Sequence, residues 1–148
     1  MSRNIDDAGA RKNRSRGAAW VLVLSLAGMP WVGWAQAPST QSTRSNSQDG
    51  VTVKVTPVPQ VPGTATWGFK IVLDTHSQEL VDDLTRTTTL VTDDGRSLKP
   101  TAWSGSGPGG HHREGVLSFA APEPLPGAFE LRVSRAGESK TRVFRWTR

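Results

Sequence analysis

Cysteine is absent from all 148 residues. That excludes disulfides, thiolate catalysis, cysteine-based zinc sites and a bacterial lipoprotein anchor. Methionine is nearly absent: Met1 and Met29 are the only two, and both precede residue 36. A domain beyond that point offers neither thiolate nor thioether to a soft metal ion such as Cu(I). Acidic side chains are outnumbered 13 to 18, for a net charge of +5. The excess is uneven. Arg3, Arg11, Lys12, Arg14 and Arg16 stand against Asp6 and Asp7 in residues 1–35, so residues 36–148 carry only +2. The high isoelectric point therefore belongs partly to the leading segment. No strongly basic surface, and no nucleic-acid partner, is implied.

The leading segment reads as a targeting sequence. "RKNRSRG" is a basic run, "AAWVLVLSLAGMPWVGW" is an apolar run of about 17 residues, and "GWAQA" supplies small residues at cleavage-compatible positions. Cleavage after Ala37 would leave Pro38 first, which signal peptidase disfavours, so cleavage after Ala35 is expected, with Gly33 and Ala35 as the small pair. An uncleaved anchor is the rival, because the run approaches the shortest length that spans a bilayer. Pro30 and Gly33 near its end favour cleavage. The expectation is a signal peptide over 1–35, membrane contact only during export, and a periplasmic or secreted product. Residues 36–49, "QAPSTQSTRSNSQD", are polar and low in complexity, and read as a flexible tether. The folded domain is then expected over 50–148.

Within 50–148 the hydrophobic period is two. "VTVKVTP" sets Val51, Val53 and Val55 on one face; "TWGFKIVLD" does the same with Trp67, Phe69, Ile71 and Leu73. "RTTTLVT", "LKPTAW", "EGVLSFA", "AFELRVS" and "KTRVFRW" follow, separated by turn chemistry such as "TDDGRS" and "RAGES". The pattern predicts an all-β chain: a single immunoglobulin-like antiparallel β-sandwich of about seven strands. Pro100 marks its strand as an edge or bulged strand. "SQELVDDLTR" breaks the rhythm, with Leu80, Val81 and Leu84 at helical spacing. It is either a short helical turn capped by Ser77 or an irregular loop pinned by Leu80 and Leu84. The aromatic residues on the strands are expected in the core, with Trp103 the exception that borders a glycine-rich loop.

That loop, "SGSGPGG", is followed by a strand and no lysine, so it is not a phosphate cradle. The three histidines lie in two segments, "DTHS" and "GGHHRE", each at a strand end. His76, His111 and His112, with Asp74 or Glu114 as the carboxylate, could make an open site for Cu(II), Zn(II) or Ni(II). Histidines adjacent on a strand point to opposite faces, so convergence requires the glycines to bend the chain. The competing reading is that the histidines pin loops, with Asp74 capping a turn and Arg113 and Glu114 forming surface pairs. Ser77 or Ser104 could be sketched as a nucleophile, but no nucleophile elbow is present, and Asp82–Asp83 and Asp93–Asp94 show no acid–base geometry.

"VLDTHSQEL", "GGHHREGVLSF" and "RVFRW" together resemble a group of small secreted bacterial proteins carrying T-H-S, G-G-H-H-R, G-V-L-x-F and R-V-F-x-W segments. The matching positions are Thr75–Ser77, Gly109–Arg113, Gly115–Phe119 and Arg142–Trp146. The resemblance implies a secreted single-domain β protein and no particular activity. The expected role is a non-enzymatic binding or interaction module, with a mouth formed by His76, His111 and His112 beside Asp74, Arg113 and Trp103. Its partner is an unidentified protein or a metal ion. The alternatives are an adaptor that binds through a sheet edge, and a metal-dependent enzyme.

Overall fold

The computed structural model describes residues 42–148. The signal peptide expected over 1–35, and the tether up to residue 41, lie outside the described residues. Nine strands and one helical turn follow: β1 (Arg44–Gln48), β2 (Val51–Pro57), β3 (Thr66–Thr75), α1 (Leu84–Thr87), β4 (Thr88–Thr92), β5 (Ser97–Leu98), β6 (Pro100–Gly105), β7 (His112–Ala120), β8 (Ala128–Val133) and β9 (Arg142–Thr147). They form two antiparallel sheets, ordered β1-β2-β3-β7-β6 and β5-β4-β8-β9. With β1 and β5 set aside, β2-β3-β7-β6 over β4-β8-β9 is, strand for strand, the A-B-E-D over C-F-G order of an immunoglobulin constant-type sandwich.

Alternation decides which faces meet. Val51, Val53, Val55, Phe69, Ile71, Leu73, Leu117 and Phe119 line the inner face of one sheet, and Leu90, Phe129, Leu131, Val133, Phe144 and Trp146 that of the other, all buried. An antibody domain joins its B and F strands by a disulfide. Here the equivalent β3 and β8 are joined by aromatic rings. Trp67 meets Phe129 edge-on with centroids 4.5 Å apart, and Phe69 meets Phe129 at 6.0 Å. Such pairs add about 0.5–1.5 kcal/mol each beyond their buried area, which partly replaces the missing cross-link.

Three features depart from the sequence reading. Residues 44–48, expected within the tether, form β1. Asp49 and Gly50 both have positive φ (49° and 77°), the type I′ turn that folds an Asp-Gly pair into a tight hairpin, so β1 lies back along β2 with Gln48 opposite Val51. "LKPTAW" is two strands, because Lys99 carries the chain from one sheet to the other; β6 is an edge strand with its register shifted between Pro100 and Ala102, as a proline requires. In "SQELVDDLTR" the helical turn starts late. Asp83, not Ser77, is the N-cap and accepts from the Thr85 amide at 3.0 Å. Residues 77–82 are irregular, and Leu80 and Leu84 are buried while Val81 stays exposed.

Candidate functional site

Three connections meet at one end of the sandwich: β3–β4 (76–83 and α1), β6–β7 (106–111) and β8–β9 (134–141). Backbone bonds stitch the first to the second. The Leu80 amide donates to Gly110 O at 3.0 Å, Gly109 N donates to Leu80 O at 2.9 Å, and Thr75 N donates to His111 O at 2.9 Å. Buried charge joins the first to the third. The Asp82 carboxylate accepts from Arg135 Nε at 2.8 Å and from the Ala136 amide at 3.3 Å. Arg135 also binds Glu138 at 2.8 Å, and Glu138 binds Arg142 through Nε at 2.8 Å. These four side chains are 97% buried or more.

A fifth buried charge, Arg113, stands outside this chain. Arg113 follows the inward parity of Leu117 and Phe119 on β7, but it sits at the loop end, beside the backbone carbonyls of the 76–83 strap. Its Nη1 donates to two backbone carbonyls, Leu80 O at 3.0 Å and Asp82 O at 2.8 Å. Its Nη2 reaches only Ser106 O, at 3.4 Å, and its buried Nε has no partner. Burial pulls its pKa below the usual guanidinium range, while the nearby charges of Asp82 and Asp83 push it back up; an arginine so placed still carries its proton. Asp82 gives Arg113 its backbone carbonyl, because its carboxylate is taken by Arg135.

Trp103 covers Arg113. It lies opposite Leu117 in the β6–β7 register, two residues before the Gly105–Gly115 pair. A Cβ on Gly115 would come within 2.7 Å of Trp103 Cζ2 and 2.6 Å of Ser104 O, and one on Gly105 within 2.3 Å of Glu114 O. The two glycines therefore let the strands close and the indole lie across the gap. The Trp103 indole N–H donates to Ser106 O at 2.9 Å, and the Arg113 guanidinium carbon lies 5.7 Å from the ring centre, a cation–π distance. Val81, Leu84, Pro108 and the rims of Asp82 and Asp83 complete a cavity of about 280 Å³ beside these two residues.

The histidines do not assemble as a metal centre. His112 begins β7 with outward parity and lies opposite Asp74, its Nδ1 2.5 Å from Asp74 Oδ1. The hydrogen bond from His112 lowers the Asp74 pKa most; desolvation opposes it, and the charges of His112 and Lys54 add to the lowering. His111, one residue earlier, has its Nδ1 3.1 Å from Gln78 O and so fastens the 76–83 strap. His76 is exposed just past β3. The glycines preceding His111 turn the chain without bringing the rings together. The expected set His76, His111, His112 and Asp74 is thus reduced to one pair, and no group of three or more His, Cys, Asp or Glu side chains among the described residues is placed to hold an ion. Glu114 lies away from them, paired with Lys70 at 3.6 Å rather than with its neighbour Arg113.

Sequence reading singled out Arg113 and Trp103 but attached them to the histidines. It passed over the buried series from Asp82 to Arg142, in which Asp82 stands 53 positions from its partner Arg135 and no local motif marks the set. Set against protein-family models, curated proteins and solved structures, the chain matches none.

Proposed function

We propose that this chain is an exported, non-enzymatic binding module that takes its ligand at the loop end, in the cavity between Trp103 and Arg113, with the histidines serving as loop fasteners. The observation that carries this reading is a buried guanidinium with no carboxylate partner, bordering a cavity of about 280 Å³ beside an indole face. Buried polar groups are ordinarily satisfied, and concave, mostly apolar sites with a few convergent polar groups are where small ligands bind. The signal peptide expected over residues 1–35 from their basic and apolar runs is what makes the reading an extracytoplasmic one.

The test is a fragment screen on the ¹⁵N-labelled full chain, following the Trp103 indole N–H. Aromatic fragments, charged and neutral, are expected to shift that signal at millimolar concentration, and Trp103→Ala is expected to abolish the shifts that the same fragments cause in the backbone amides of Ser106 and Arg113. Fragments that shift only other signals, or none at all, would overturn the loop-end reading. So would saturable binding of Cu(II), Zn(II) or Ni(II) near one equivalent that disappears in His76→Ala, because the histidines would then be the site.

A further inference from the structure

The charges buried at the loop end do not balance. Arg113, Arg135 and Arg142 are guanidiniums at 6% exposure or less, while the carboxylates buried with them are Asp82 and Glu138. Both carboxylates are committed to Arg135 and Arg142. The surplus charge is that of Arg113, the one of these three arginines that borders the cavity. Within Arg113 the commitments are also uneven. Both Nη1 protons point at carbonyls, at 3.0 and 2.8 Å, whereas the Nε–Nη2 edge has a single 3.4 Å contact. Nε is closed off from solvent, so a ligand reaches that edge only by displacing part of the cover around it; the edge then offers two parallel N–H groups, the fork that holds a carboxylate through both oxygens.

The remaining walls are apolar. Trp103, Leu84, Pro108 and the exposed side chain of Val81 suit a flat hydrocarbon group, and the volume limits it to about one ring with a short arm. Two features oppose an anion: the Asp82 carboxylate, which also lines the cavity but is neutralised by Arg135 at 2.8 Å, and Asp83. Asp83 lies on the rim, with its Oδ1 bonded to the Thr85 amide at 3.0 Å and the Thr85 hydroxyl at 2.6 Å. It is exposed, so its repulsion is screened by water and salt, whereas the attraction of the buried Arg113 is not.

We infer that the Arg113–Trp103 cavity binds a carboxylate carrying an aromatic or comparably flat apolar group, the carboxylate on the Nε–Nη2 edge of Arg113 and the flat group against Trp103. This rests on the loop-end reading above and adds the charge and shape of the ligand. The carboxylate could belong to a free aromatic acid or to the C-terminus of a peptide ending in an apolar residue; the chemistry at Arg113 is the same.

The experiment titrates the full chain with phenylacetate and with phenylacetamide, its neutral near-isostere, following the Trp103 indole N–H. N-acetylphenylalanine and its amide form the second pair. Each acid is expected to bind at least about tenfold more tightly than its amide, since a bidentate charge-assisted pair is lost in the amide. The tighter of the two acids identifies the source, a free acid or a peptide end. Arg113→Lys keeps a charge but loses the fork, and should remove most of the preference. Because a buried arginine supports the loops, Asp83→Asn is the control that leaves Arg113 intact. Asparagine caps a helix as well as aspartate does, so Asp83→Asn should tighten each acid severalfold relative to its amide. Equal binding of acid and amide at Trp103 would overturn the carboxylate assignment and leave the loop-end reading standing. Absence of any binding at Trp103 would overturn both.

Discussion

The position that shapes the candidate site most is Gly115. A methyl group there would meet Ser104 O at 2.6 Å, the Gly105 Cα at 2.7 Å and the Trp103 ring at 2.7 Å. Two of these neighbours are backbone in a paired strand and cannot yield cheaply. Gly115→Ala is therefore expected to destabilise the fold by about 1–3 kcal/mol, the usual cost of overpacking, and to displace the indole from Arg113. Urea denaturation measures the first. The Trp103 indole N–H, released from Ser106 O, reports the second. If Gly115→Ala shifts stability without moving that signal, Trp103 is positioned by the 106–110 loop and not by the glycine pair. Gly68 is a useful contrast, since its nearest neighbours, Val116 Cγ1 at 3.1 Å and Val58 Cγ2 at 3.4 Å, are side chains that can rotate.

At the scale of elements, the least expected strand is β1, and Arg142 explains it. The strand "RSNSQ" has no apolar residue, so packing cannot hold it. Arg142 Nη1 donates to Asn46 O at 2.8 Å and to Val51 O at 2.9 Å, and Nη2 donates to Gln48 O at 2.8 Å. Arg142→Met keeps the stem and removes these donors. It should leave the β2–β3 amides protected and raise hydrogen exchange in Arg44–Gln48 by at least about tenfold, since each bond to a charged donor contributes about 1.5–3 kcal/mol. Unchanged exchange there would assign β1 to its ladder with β2 alone. The same comparison shows which elements were legible in the sequence. The strands found by alternation each bury one face, so their residues carry the signal. β1 buries none, and its one local sign was the Asp49-Gly50 turn beside an alternating strand. The Arg113–Trp103 pairing was half legible: Arg113 shares the parity of Leu117 and Phe119, although the sequence reading sets it in a surface pair with Glu114, and only the β6–β7 register puts the indole over it. The metal site depended on the glycines bending His111 and His112 together, which no sequence pattern decides; the chain instead sends His112 to Asp74 and His111 to Gln78 O.

For the whole molecule, the buried ion series decides how stability responds to acid. Desolvation pushes the Glu138 carboxyl up, but hydrogen bonds from Arg142 and Arg135 and their charges outweigh it, and its pKa lies below the usual glutamate value. A carboxylate held below its unfolded pKa stabilises the fold fully above that unfolded value, about 4.3. The contribution is lost as pH falls through the depressed folded value. Asp74 adds a smaller contribution of the same sign, because it is largely exposed and its bond to His112 is a surface pair. Glu138→Gln removes the larger contribution. At neutral pH it leaves Arg142 without a carboxylate, while Arg135 keeps Asp82, and the expected loss is about 3 kcal/mol, as for breaking a buried ion pair. As pH falls from the unfolded value down through the lower folded one, the wild-type protein loses the same interaction by protonation, so the stabilities of the two proteins should converge toward the acid end. Denaturation midpoints measured from pH 7 to pH 2.5 test this directly. Parallel curves would mean that Glu138 acts by shape and hydrogen bonding alone. Convergence would establish that charge joins the β8–β9 turn to β1 and to the strap over the Arg113 cavity. It would also make acid the condition under which that cavity loses its frame.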